Sequence, residues 1–124
     1  MNNSDRTPET ASVNLGELLA RVDNDRELLC DLLSIFKREF PDQLTSLQTA
    51  VAGNDAALAA RVSHTLKGML ANLAVTRAAA SASRLERLAR AGENSSLGDA
   101  LAAFEKDVQG LLPEMESYMA EARP

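Results

Sequence analysis

The sequence predicts an all-α protein: an antiparallel up-down-up-down four-helix bundle with a short additional N-terminal helix. Three observations carry that prediction. Apolar residues recur at spacings of three and four along most of the chain, the period of a helix with one buried face. Aromatic residues make up only 3% of a chain that is 45% hydrophobic. The core must therefore be built of Leu, Ala, Val and Met, because the residues that fill strands are scarce. The links between periodic segments are short, which makes neighbouring helices run antiparallel. At 124 residues there is room for one domain.

Residues 1–13 are polar apart from a few positions and contain Pro8, and read as a disordered leader. The bundle is expected over 14–121, with a tail at 122–124. Leu15, Leu18, Leu19 and Val22 space like a short amphipathic helix, too short to be stable without packing on a larger body. Asn24 or Asp25 can cap the next helix by accepting from its first free N–H groups. That helix carries Leu28, Leu29, Leu32, Phe36, Phe40, Leu44, Leu47 and Val51 on one face and runs to about Ala52. Pro41 removes one helical hydrogen bond and predicts a kink. Gly53 ends the helix, as glycine often does just past a C-terminus.

Asn54 or Asp55 caps the third segment, whose apolar stripe is Leu58, Val62, Leu66, Met69, Leu70 and Leu73. After Ala74 and Val75, with Thr76 as N-cap, an alanine-rich helix is expected over Arg77 to Ala91, with Ala78, Ala82, Leu85, Leu88 and Ala89 near one face. Gly92 closes it. Ser95 or Ser96 caps a last helix with Leu97, Leu101, Phe104, Val108, Leu111, Met115 and Met119 in one seam. Pro113 sits inside that seam, where the maintained phase predicts a kink rather than a stop.

Several function classes are excluded on bulk grounds. The net charge of −5 argues against nucleic acid as the main partner. No apolar run approaches the roughly 20 residues of a membrane span, and the polar N-terminus is unlike a secretory signal. Cys30 is the only cysteine and His64 the only histidine, a poor basis for a metal site. These features together suggest a cytoplasmic protein. There is also no Gly-rich phosphate loop and no length for an ATP-binding domain.

The chemistry concentrates at His64. At about 100° per residue it falls opposite the apolar stripe of its helix, facing solvent. Its outer-face neighbours are Ala57, Ala60, Arg61, Lys67, Gly68 and Ala71. Imidazole is nucleophilic at neutral pH when unprotonated, and exposure leaves it accessible. Lys67, three residues on, is a neighbour on the helix surface; its ammonium could neutralise a phosphoryl group on His64, or simply be solvated. Gly68 costs the helix about 1 kcal/mol relative to alanine. A side chain there would lean back over the turn that carries the imidazole.

The run His64-Thr65-Leu66-Lys67-Gly68, followed by Ala71-Asn72-Leu73, resembles the signature of the histidine-containing phosphotransfer (HPt) domain: His-x-x-Lys-Gly on an exposed helix face, often followed by Ala-Asn-Leu. The resemblance covers about Asn14 to Glu121 and implies the same bundle fold. It implies that His64 is the phosphoacceptor, that Lys67 stabilises the phosphoryl group and that Gly68 gives steric access. Ala57, Ala60, Arg61 and Ala71 would then be a docking surface for a response-regulator receiver domain. Met69 and Leu70 depart from the small residues often found after the glycine, but their phase places them in the core. In this family a polar residue of the following helix, often Gln, hydrogen-bonds the histidine's other nitrogen. Glu86 stands at the matching offset, where it is either that orienting group or an ordinary exposed glutamate.

The resemblance implies a phosphorelay intermediate without kinase activity of its own. Phosphoryl groups would move between His64 and aspartates of receiver domains, with a hybrid sensor histidine kinase upstream and Mg²⁺ held by the receiver rather than by this chain. The closed bundle is expected to be a monomer. Two rivals are a four-helix adaptor that carries no phosphate, and the dimerising histidine region of a sensor kinase. The second usually has a proline soon after its histidine, whereas here the next proline is Pro113.

Overall fold

The computed structural model describes residues 13–122, so nearly all of the expected leader and the last two residues of the expected tail lie outside the described residues. Within them the chain is helical throughout, with no strand. The elements are α1 (Leu15–Arg21), α2 (Arg26–Ala52), α3 (Ala56–Asn72), α4 (Thr76–Arg90), α5 (Asn94–Val108) and α6 (Leu111–Ala122). The bundle closes as a ring: α3 packs between α2 and α4, α5 against α4, and both α5 and α6 against α2. No helix among the described residues is long and apolar enough to cross a membrane.

The turns follow one recipe. In each Asn-Asp pair, the Asn takes the left-handed backbone and the Asp caps the next helix. Asn24 and Asn54 have φ of 62° and 56°, while the carboxylates of Asp25 and Asp55 accept from the N–H groups of Leu28 and Leu58 at 3.0 and 3.1 Å. The helices before them end in six-residue reverse bonds, Asn24 N–H to Leu19 O and Asp55 N–H to Ala50 O. Such bonds satisfy carbonyls a helix would otherwise leave open. Gly53 is therefore not the left-handed residue of its turn; its φ is −93°. The α3–α4 and α4–α5 turns repeat the pattern, with Ala74 and Gly92 at positive φ and bonds from Val75 to Leu70 and from Glu93 to Leu88. Neither Thr76 nor Ser95 or Ser96 is a cap. Thr76 is already helical, and α5 begins before the serines, at Asn94.

The buried face of α2 and the extent of the last helix differ from expectation. On α2 the buried residues are Leu29, Leu33, Phe36, Phe40, Leu47 and Ala50, whereas Leu28 and Leu32 are 42% and 37% exposed. The expected last helix is two: the chain leaves α5 at Gln109 (ψ 131°) and turns through Gly110 at φ +79° before α6 begins. Pro113 then lies in the first turn of α6, where a missing N–H costs nothing because those donors have no helical partner anyway. The apolar seam still continues across the break, with Phe104, Leu111 and Met115 all fully buried. Pro41 does not interrupt α2; it sits on the exposed side, where water can take up the carbonyl it leaves unpaired.

Short-range polar contacts fix the ends of the bundle. Arg21, at the end of α1, donates to the Ala71 and Asn72 carbonyls at 3.0 and 3.2 Å, placing a cation on the negative C-terminal end of α3. Val13 is buried and donates its N–H to a Glu114 carboxylate oxygen at 3.3 Å.

Candidate functional site

Helix α3 lies between α2 and α4, so it buries more than one stripe. Ala59, Ala60, Val62, Ser63, Leu66 and Leu70 all point inward. Opposite them on α4 stand Ala78, Ala82, Leu85 and Ala89, and small side chains let the two axes approach. What remains exposed on α3 is a narrow ridge that includes Ala57, Arg61, His64, Gly68 and Ala71. Ala60, expected on that ridge, is instead 6% exposed. It turns inward because α4 covers its flank.

His64 has 63% of its side chain exposed. One ring nitrogen is engaged: Nδ1 lies 3.1 Å from Oε2 of Glu86. Glu86 follows Leu85, at the edge of the buried face of α4, and is itself buried, with 10% of its side chain exposed. It is no ordinary surface glutamate. Its Oε1 accepts from Lys67 Nζ at 3.0 Å, and its Oε2 also accepts from Arg90 through Nε at 3.0 Å and a terminal guanidinium nitrogen at 2.8 Å. One carboxylate thus gathers His64, Lys67 and Arg90.

A buried carboxylate tends to hold its proton, yet the Arg90 guanidinium outweighs burial here. With further help from Lys67 and His64, it lowers the Glu86 pKa from 4.5 to about 2. Glu86 is therefore ionised at neutral pH and can only accept hydrogen bonds. The nitrogen facing it must donate, so the proton of neutral His64 sits on Nδ1. The lone pair is then on Nε2, the nitrogen without a protein partner in this network. A ring nitrogen is assigned its role by the hydrogen bond the other one makes.

Around this centre the surface is open. A Cβ built at Gly68 meets nothing within 4 Å. A shallow groove between the first half of α3 and the end of α4 is lined by Ala56, Ala57, Ala60, Arg61, His64, Ala89 and Arg90. The expected docking residues Ala57, Ala60 and Arg61 thus meet at one groove beside His64, with Ala60 as part of its wall rather than an outer contact. Ala71 is not part of it; it lies past Gly68, toward α1. Arg90 was missed in the sequence, although its spacing of four residues from Glu86 is that of a helical ion pair. Among the described residues there is no group of three or more His, Cys, Asp or Glu side chains able to hold a metal ion.

A family model described as the Hpt domain matches residues 31–121, the span from within α2 to the end of α6. Neither the curated proteins nor the solved structures yield a match to the chain.

Proposed function

The chain belongs to the Hpt domain family, whose members carry phosphoryl groups on histidine in two-component phosphorelays, and on that footing we propose that His64 is the phosphoacceptor. The observation that carries this reading is the Nδ1 contact with ionised Glu86, which leaves an exposed Nε2 lone pair. Nε2 attacks the phosphorus of an aspartyl phosphate on a receiver domain. The N–P bond forms as the P–O bond to the aspartate breaks, and the partner keeps a free carboxylate. The ring gains a positive charge, its Nδ1 proton stays in place, and the Glu86 carboxylate lies beside that charge, stabilising it as it develops. The reverse step hands the phosphoryl group to an aspartate of another receiver.

The remaining residues position and admit. Lys67 is close enough to serve the phosphoryl oxygens, and Gly68 leaves space above the imidazole for the partner. Ala57 and Arg61 form the docking surface, with Ala60 in the wall of their groove and Ala71 farther along the same ridge beyond Gly68. The chain supplies an oriented nucleophile rather than acid–base machinery. It takes its phosphoryl group from a protein donor, a receiver fed by a hybrid sensor kinase, and the Mg²⁺ of the reaction sits on that receiver. We place the protein in the cytoplasm, acting as a monomer. Mixing the chain with a phosphorylated receiver domain should move acid-labile phosphate onto it, and ATP alone should not. No transfer from any receiver of the host would count against the proposal.

A further inference from the structure

Glu86 has two cationic partners, and they are not equivalent. Lys67 holds Oε1 by a single ammonium contact. Arg90 holds Oε2, the oxygen that also faces His64, by two N–H groups. Lys67 is three residues from His64 on the same helix, within reach of any group on the imidazole. For it to turn to a phosphoryl group, it must leave a buried carboxylate. A buried carboxylate stripped of its cation is costly, unless another cation remains.

We propose that Arg90 is a positioning residue: it anchors Glu86 on the Nδ1 side of His64, so that Lys67 can leave the carboxylate for the phosphoryl group while the ring keeps its orientation and tautomer. The inference rests on His64 as phosphoacceptor. Charge balance agrees with it. Before transfer, one carboxylate faces two fixed cations. After transfer, the ring cation adds to the charge facing Glu86 while the phosphoryl group brings two negative charges to Nε2. Lys67 moves toward the phosphoryl group, and Glu86 keeps Arg90 and the ring as partners. Arg90 acts through Glu86 and needs no contact with phosphate. Most of its side chain is exposed, so truncating it opens no cavity in the core.

Two readouts test this on the intact protein. The first is the long-range ¹H–¹⁵N spectrum of the His64 imidazole at alkaline pH, which reads the tautomer without any phosphotransfer. The second is the rate of transfer from a phosphorylated receiver domain. Wild type should show His64 mainly as the Nδ1–H form. Arg90→Ala should mix the tautomers and slow transfer about tenfold, the effect of losing the one hydrogen bond between His64 Nδ1 and the Glu86 carboxylate once both Arg90 contacts are gone, with unchanged helical circular dichroism. Arg90→Lys, which keeps the charge and loses the fork, should fall between the two. In a Glu86→Gln background, Arg90→Ala should add no further loss, because its only route of action is gone.

An Arg90→Ala protein with the wild-type tautomer and transfer rate overturns the proposal. So does a further loss in the double variant, which would mean that Arg90 touches the phosphoryl group directly. If wild type accepts no phosphate, the phosphoacceptor reading fails, and the tautomer spectra still decide whether Arg90 holds Glu86 against the ring.

Discussion

Gly68 stands one helical turn after His64 on a face that no described residue covers, and it lies within helix α3. Gly68→Ala should therefore stabilise the protein by about 1 kcal/mol, read as a higher urea midpoint. Gly68→Gln should fold equally well and transfer phosphate poorly, because its side chain leans over the imidazole. A fully active Gln variant would remove steric access as the reason for the glycine. Glu86 makes a second prediction. Its pKa falls from 4.5 in the unfolded chain to about 2 in the folded one, so the unfolded state binds the extra proton between those values. The stabilisation from its ion pairs is complete above about pH 4.5 and is lost as pH drops toward 2. The stability gap between wild type and Glu86→Gln should shrink over that window; a gap independent of pH would mean the carboxylate is not held by its cations. His64, Lys67 and Gly68 were legible in the sequence because a short motif coincided with the helical phase. The burial of Ala60 was not, since a one-stripe reading of α3 cannot see that α4 covers a second flank. Arg90 was legible only as an ion-pair spacing, whose importance appears once Glu86 is known to be buried.

Among the elements, the break between α5 and α6 is where local chemistry overrides periodicity. The seam from Leu97 to Met119 keeps its phase because both helices face α2, so the apolar pattern alone cannot register the two residues that leave the helix. Gly110 marks the break, being at φ +79° with open space around it. Gly110→Ala should cost about 1 kcal/mol, the strain of an L-residue in the left-handed region, measurable as a lower midpoint in thermal or urea unfolding. A neutral effect would mean the chain can bridge α5 and α6 as one helix. The face of α2 was ambiguous for a similar reason. Leu28 with Leu32 and Leu29 with Leu33 both fit a spacing of four, and only the position of the neighbouring helices selects the second pair.

For the whole molecule, α2, α3, α4 and the α5–α6 pair make the four bundle members, with α1 added beside them, and among the described residues they bury nearly all of the apolar seams internally. The exceptions are Leu28, Leu32 and Ile35, exposed in a row on α2. Three side chains fall far short of the roughly 1,000 Å² that a stable association needs. Sedimentation at tens of micromolar, about the range where weak pairing shows, should give one species of 13.3 kDa; a dimer would mean this row is a self-association surface. Whether His64 carries the phosphoryl group is decided by transfer from a phosphorylated receiver domain to His64→Gln beside wild type. Wild type should carry acid-labile phosphate and the variant none, with identical helical circular dichroism. Acid-labile phosphate persisting on His64→Gln would contradict it.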